Sequence, residues 1–544
     1  MDDLTANPRH GESQVRACQS TASGTIIIPS RGRVDATATS SISHLHDELL
    51  HDIFYIIVQS KFARDTPFSD RVAGSMLILP ASHVCRHWRT LTLASPRLWS
   101  FLLLVAQTPP TMLYEFLSRS KNVLLSIKML GYRVNEELFE MARILAEQYM
   151  GRIRELRIND FWQQDTIRIL AFLEDKHAPN LCALAVETNG PGNGDMVTLL
   201  GGRMPVLRRL QMKNIIIPWL PLKDMVVLDI LSQTHMPAKE DFLWTLRQSP
   251  ALEVLSIFLG EEFPQAAVIP ADHVSDNAVH LLRLRELRLG SFGSNQDVLY
   301  FLSRLIFPSS ASVDLCLFGQ PPENVCLGDI CPPIRAVQAR VIKGSIRFEY
   351  LYTIYNVVLQ SLDSIFRIEW ERGLLWEAHS DAHMKNALNS ISLPSLQSLA
   401  ILASRYNPSY HEWMDLLRRI PTLHRLEVDF RSDPLSSGWL DSGSAFFDAL
   451  GELGEHEVDG EVPVVCPRLA QLVIKRATSN GVAQTEVWEA LRRALLSRAR
   501  KGAPKLELLD FVKGEDQQEL TLPEDVPVDR LAELVERITI QHDE

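Results

Sequence analysis

A single phrase, Pro-x-Leu-x-x-Leu-x-apolar, recurs along this chain and limits what it can fold into. It reads Pro179-Asn-Leu181-Cys-Ala-Leu184-Ala-Val186 and returns at Pro205–Met212, Pro250–Ile257, Pro394–Ile401, Pro421–Val428, Pro467–Ile474 and Pro504–Phe511. Ile153–Ile158 and Leu284–Leu289 match it without the proline. In every copy the last two apolar residues are two apart, so a strand would point both to one side. The first leucine would enter the same core from the preceding turn. One copy is what any amphipathic element produces by chance; nine copies, seven opened by proline, are a repeat. A short strand and one helix cannot bury their apolar faces alone, so such units must stack.

The fold expected from this is α/β: an irregular leucine-rich-repeat solenoid over residues 106–544, with a curved parallel sheet inside and helices outside. Tyr410 to Ile420 and Val487 to Arg500 are predicted helices between strands. Successive prolines lie 26 (179 to 205), 45 (205 to 250), 27 (394 to 421), 46 (421 to 467) and 37 (467 to 504) residues apart, where about 20–29 is usual for such repeats. The longer gaps leave room for inserted loops or an undetected repeat, and 310–390 does not divide into repeats. Residues between the inward leucines would face the open side. They are Glu187, Arg209, Gln211, Lys213, Glu286, Arg288, Arg425, Glu427, Gln471, Lys475 and Asp510. Both charges are present. Arg209, Lys213, Arg288, Arg425, Glu427 and Lys475 are the expected contacts to a bound target.

With 46% hydrophobic and 22% charged residues, the chain can bury a sizeable core. Its formal net charge of −12 argues against a general nucleic-acid binder. The strongest apolar run, Phe101 to Ala106, is far short of the roughly 20 residues that cross a bilayer. The seven cysteines are scattered and odd in number, which suits a reducing compartment better than a disulfide framework. The expectation is a soluble cytoplasmic and/or nuclear protein, with no nucleic-acid and no membrane partner. Residues 1–41, polar except for Ile26-Ile27-Ile28, are expected to form a disordered tail.

Between them, residues 42–105 read as a helical domain. Leu45-His46-Asp47-Glu48-Leu49-Leu50 leads into Ile53-Phe54, and Leu49, Ile53 and Ile57 fall on one helical face. Lys61 to Ser75 reads as a polar link. A second helix is predicted over Met76 to Leu93, containing Val84-Cys85-Arg86-His87-Trp88-Arg89-Thr90-Leu91. Ser95-Pro96-Arg97-Leu98-Trp99 would start a third, with Ser95 as cap and Pro96 at the first helical position. The order of these anchors resembles the F-box, in the divergent form common in mushroom-forming fungi. The match is imperfect: His46 stands where the family has proline, and the link between the first two helices is longer. The resemblance implies a three-helix F-box-like domain that docks the small adaptor protein of a cullin ubiquitin ligase of the SCF type. Its anchors would be Leu45, Leu49, Ile53, Phe54, Val84, Trp88, Leu98 and Trp99. Leucine-rich repeats behind an F-box are a familiar pairing, and the repeats would then hold a protein target. The plainer reading is a three-helix packing unit in which all of these residues face the chain's own core.

Other constellations are weaker. His83 and His87, with Cys85 between them, have the spacing of a metal-ligand pair but no further ligands nearby, and Cys326 and Cys331 lack a second pair. Gly190-Pro-Gly192-Asn-Gly194-Asp195 lacks phosphate-loop spacing and reads as a connecting loop with Asp195 as N-cap. Arg492, Arg493, Arg498, Arg500 and Lys501 end a predicted helix, where cations complement the dipole; a phosphate-binding patch is the alternative. Glu452 to Glu461 reads as a solvated loop. No metal site, cofactor site or catalytic motif is recognised. The expected role is a non-catalytic substrate-recognition subunit of a ubiquitin ligase, contributing proximity. Two alternatives stay open: a protein-binding scaffold whose degenerate F-box merely caps the solenoid, and an enzyme hidden in 310–390.

Overall fold

A computed structural model of the protein describes residues 42, 45–63, 78–131, 133–189, 200, 203–215, 222–233, 239–259, 278–291, 295–318, 326–348, 353–371, 391, 393–403, 409–429, 439–452, 464–475, 481–513, 531 and 533–542. The expected tail 1–41, the Gly190–Asp195 loop and nearly all of the Lys61–Ser75 and Glu452–Glu461 segments lie outside the described residues.

In chain order the elements begin with α1 (Asp47–Ala63), α2 (Leu79–Ser82), α3 (Arg86–Ala94) and a 3-10 turn (Pro96–Trp99). There follow β1 (Phe101–Leu104), α4 (Pro110–Arg119), β2 (Leu125–Leu130), α5 (Glu136–Ile144), β3 (Ile153–Trp162), α6 (Gln163–Ala171), β4 (Ala183–Asn189), β5 (Arg209–Lys213), β6 (Val227–Gln233), α7 (Lys239–Arg247) and β7 (Val254–Leu259). Next come β8 (Val279–His280), β9 (Glu286–Ser291), α8 (Asn295–Leu302), β10 (Leu305–Ile306), β11 (Ser312–Phe318), α9 (Leu327–Ile330), α10 (Pro332–Ala339), β12 (Lys343–Phe348), β13 (Thr353–Gln360) and β14 (Ile365–Glu371). The chain closes with β15 (Ser398–Ala403), α11 (Tyr410–Arg418), β16 (Arg425–Asp429), α12 (Trp439–Gly451), β17 (Gln471–Lys475), α13 (Gly481–Arg500), β18 (Leu508–Lys513) and β19 (Ile538–His542). Contacts divide the chain into two units, residues 1–53 and 54–544, with the boundary inside α1. In the first unit α1 opens on Asp47 and Glu48, whose charges suit a helix N-terminus. The Leu50 N–H reaches the His46 carbonyl at 3.1 Å.

Among its described residues the second unit is α/β and is built on one mostly parallel sheet of 17 strands. From β1 the ladder runs in chain order to β7, then through β9 to β11. It continues β14, β13, β12, β15 and then in order to β19. Two apolar columns cross it. One runs Leu102, Ile127, Leu156, Leu184, Leu210, Leu228, Leu255, Leu287 and Val313, each beside the next. It passes Phe366, Leu359 and Gly344 to Leu399, Leu426, Leu472, Leu509 and Ile538. The second lies two residues further along each parallel strand, and two residues earlier on antiparallel β13, for example Ile158, Val186, Met212, Ile230, Ile257 and Leu289. Helices cover this side: Met129, Leu156 and Ile158 meet Ala142 and Ile169. A fully buried leucine in such a column contributes about 1.5–3 kcal/mol.

The repeated proline has a local job. Leu181, Leu207, Leu252, Leu396, Leu423 and Leu469 each donate their N–H to the carbonyl of the residue before the proline, at 3.0–3.4 Å. That is a β-turn with proline second, where its fixed φ fits. The same leucines are buried, as the phrase predicts.

The uneven spacing has three causes. The 205–250 gap holds an undetected repeat, β6, in which Met225 and Leu228 take the leucine positions without a proline. The 421–467 and 467–504 gaps hold the helices α12 and α13. In 310–390 the chain runs β12–β13–β14 as a meander, with β13 antiparallel to both neighbours. Its links, residues 349–352 and 361–364, are too short for the dozen or so residues that a parallel crossover needs. The meander inserts backwards: β14 sits beside β11, and β12 beside β15.

The head differs from expectation in detail. α1 extends to Ala63, so the link begins later than Lys61. The second helix is broken, because His83 and Val84 turn and Cys85 caps α3, its sulfur accepting the Trp88 N–H at 3.4 Å. The third helix is only the 3-10 turn, with Pro96 in its first turn. Ser95 does not cap it; its hydroxyl donates to the Leu91 carbonyl at 2.8 Å. Among the described residues no helix is long and apolar enough to cross a membrane.

Candidate functional site

α1 carries apolar residues on two faces. Leu50, Phe54, Val58 and Phe62, spaced by four, are buried. Leu49, Ile53, Ile56 and Ile57 are 50%, 37%, 61% and 43% exposed. A helix with one core to cover needs only one such stripe. The expected adaptor anchors therefore separate. Leu49 and Ile53 point to solvent and Leu45 is half-buried, while Val84, in the turn before α3, is 61% exposed. Phe54, Leu98 and Trp99 are buried and unavailable to a partner. Trp88 is half-buried and packs edge-on against Phe54, with ring centroids 4.8 Å apart.

Trp99 shows why the last F-box-like element turns inward. Its indole N–H donates to the Thr92 carbonyl at 2.9 Å, and its ring meets Phe116 of α4 at 5.0 Å, with the Arg119 guanidinium 4.2 Å from its centre. Leu98 donates its N–H to the Ser95 carbonyl at 3.1 Å. Ser95-Pro96-Arg97-Leu98 is thus the same proline turn that opens the later strands, and it leads directly into β1. Phe101 of β1 is met by the rings of Tyr55 and Phe62, at 5.6 and 5.4 Å. The second half of α1 therefore packs on the first strand.

The open face of the sheet is the other candidate surface. Arg209, Lys213, Arg288, Arg425, Glu427 and Lys475 all occupy strand positions opposite the apolar columns, as their spacing predicts. Most are tied to neighbours on the same face. Lys213 pairs with Glu187, and Arg288 with Glu286. Glu427 is shared between Lys475 at 2.9 Å and Arg425 at 3.5 Å, and Arg425 also donates to Gln471 at 3.3 Å. Asp510 accepts from Thr539 at 2.7 Å. Arg209 is exposed and forms no ion pair among the described residues.

The expected set leaves out Asp229, Ser256, Asp314 and Arg367, which line the middle of the same face. Burial raises the Asp314 carboxyl above its ordinary range, against the pull of Arg367 at 3.7 Å and of Arg288. Asp229 and Arg367 lie on β6 and β14, which lack the phrase. Asp229 is the one polar residue in the run Val226-Val227-Leu228-Asp229-Ile230-Leu231, and that is the signal that marks the first of them.

The remaining constellations are structural. Arg492 pairs with Glu489, Arg493 with Asp448 and Lys501 with Glu452. Arg498 is buried and donates to the Val465 and Cys466 carbonyls, so this set does not present a common cationic patch. Burial pushes the thiols of Cys331 and Cys466 up to about 11 and about 12, which keeps both protonated. Among the described residues no three His, Cys, Asp or Glu side chains gather as a metal site would require. Neither a family model nor a curated protein matches the sequence.

Proposed function

We propose that the chain is the target-recognition subunit of a cullin-type ubiquitin ligase, with α1 docking the adaptor protein and the open face of the sheet holding a protein target. One observation carries the reading: the solvent-facing stripe Leu49, Ile53, Ile56 and Ile57, on a helix whose opposite side is already buried. Apolar side chains grouped in this way mark protein-binding surfaces. The F-box-like order of anchors supports the adaptor protein as that partner. The protein would be non-catalytic, would work in the cytoplasm or nucleus, and would supply proximity between target and conjugating enzyme.

Co-purification of the full chain with the adaptor tests this. Wild type is expected to hold the adaptor, and Leu49→Asp and Val84→Asp are each expected to lose it without a change in melting temperature, because both side chains are exposed. Trp88→Ala is a poorer probe, since it removes the ring that packs on Phe54. A wild-type chain that fails to retain the adaptor contradicts the proposal.

A second reading has its own support. Ser95–Trp99 forms the opening turn of the sheet and the second half of α1, from Tyr55 on, packs on β1, which is what a cap without a ubiquitin role would do.

A further inference from the structure

Taking the open face of the sheet as the target surface, we propose that Asp229 and Ser256 form a socket for an arginine side chain displayed by the bound protein. The two residues are register partners on β6 and β7, on strands about 4.8 Å apart. One carboxylate oxygen of Asp229 accepts from Gln211 at 3.3 Å. Its other oxygen is buried and has no hydrogen-bond partner. Ser256 is only 2% exposed, and its hydroxyl likewise has no partner. Buried polar atoms are nearly always satisfied, so two adjacent exceptions on a binding face point to a missing donor.

The surroundings specify which donor. Val227 and Val254 flank the pair on one side, Leu231 and Phe258 on the other, each two residues away on the same face. The Phe258 ring lies against Gly290 of the next strand, where a β-carbon would come within 2.5 Å of it. The floor is therefore polar and the rails are apolar. Arg288 is engaged by Glu286 and Arg367 by Asp314, and Asp229 has no ion pair among the described residues. An arginine fits all three features. Its stem covers the apolar rails, its planar fork donates to two acceptors on adjacent strands, and its flat face stacks on an aromatic ring. A lysine ammonium donates from a single point and does not stack in this way.

The test uses immobilised peptides with randomised uncharged flanks and a central arginine, lysine, citrulline or glutamate, probed with the purified full chain. Central arginine is expected to be retained at least about tenfold over citrulline and above lysine, since charge-assisted bonds are about twice as strong as neutral ones and only arginine spans both acceptors. Asp229→Asn is expected to abolish that preference and Ser256→Ala to reduce it, while Glu489→Gln, on α13 and off the sheet, leaves it intact. Ser256→Ala should also hold or raise the melting temperature, because it deletes a hydroxyl that has no partner. Equal retention of arginine and citrulline, or of arginine and lysine, overturns the proposal. So does a preference that survives Asp229→Asn, or a Ser256→Ala chain that melts earlier. Adaptor co-purification is scored separately: arginine selection without adaptor binding supports the socket and counts only against the ligase reading.

Discussion

The proline-opened strands and the meander of β12–β14 build the same two apolar columns from different sequences. In β15, β16 and β17 the phrase supplies everything locally: a turn fixed by proline, a leucine from that turn, and two apolar residues two apart. In the meander no proline opens a strand, and one strand runs backwards. Even so, Phe366 and Leu359 continue the first column, and Ile368, Val357 and Ile346 continue the second. Strand direction is irrelevant to which face a side chain takes; only the period of two matters. The column is therefore the continuous physical object here, and the phrase is one way of making it.

That comparison can be pressed hardest by truncating one column residue on each side. Leu399→Ala and Leu359→Ala each remove a fully buried side chain and should each cost about 2–5 kcal/mol in denaturant melts. A meander that is only loosely attached would show a much smaller loss for Leu359→Ala. Next in size is Gly344, the single position where the first column has no side chain. A β-carbon there would lie 2.9 Å from Leu359 and 3.3 Å from Leu396, which fill the space from either side. Gly344→Val is expected to cost about 1–3 kcal/mol by overpacking; a neutral outcome would mean that β12 does not sit between β13 and β15.

The smallest effect concerns charge at the join. Asp314 of β11 faces Arg367 of β14. Burial raises its carboxyl above the ordinary value of about 3.9, so folding disfavours the ionised form. Stability from the protonated acid is complete below that value and is lost as pH rises through the raised one. Asp314→Asn should therefore melt slightly later than wild type at pH 7, and the two should converge below about pH 3.9. A mutant that melts earlier at neutral pH would show that the ion pair outweighs burial.

What the sequence made legible follows the same division. Leu181, Leu207, Leu252, Leu396 and Leu423 could be placed because turn, leucine and strand sit within eight residues. β6 escaped notice because Met225 and Leu228 lack the proline, and β1 because Leu102 and Leu104 sit inside an unbroken apolar run. The meander was hidden because strand order is a non-local fact that no local pattern carries. In α1 the four-residue spacing of Leu49, Ile53 and Ile57 revealed a face but not its destination. Leu50, Phe54 and Val58 have the same spacing and face inward. The expected anchors Phe54, Leu98 and Trp99 were obscured for this reason: an apolar side chain is equally ready for its own core or for a partner's.

Disulfide trapping across the join tests the continuous-column account most directly. Ser345 and Ala400 are register partners on β12 and β15, and strand neighbours lie within the span a disulfide bridges. In a Cys316→Ala background, Ser345→Cys with Ala400→Cys is predicted to crosslink rapidly on oxidation, while Asp314→Cys with Ser345→Cys stays reduced, because β14 and β13 separate those strands. The reverse pattern, with 314 joined to 345 and 400 left free, would put the strands in simple chain order and contradict the account.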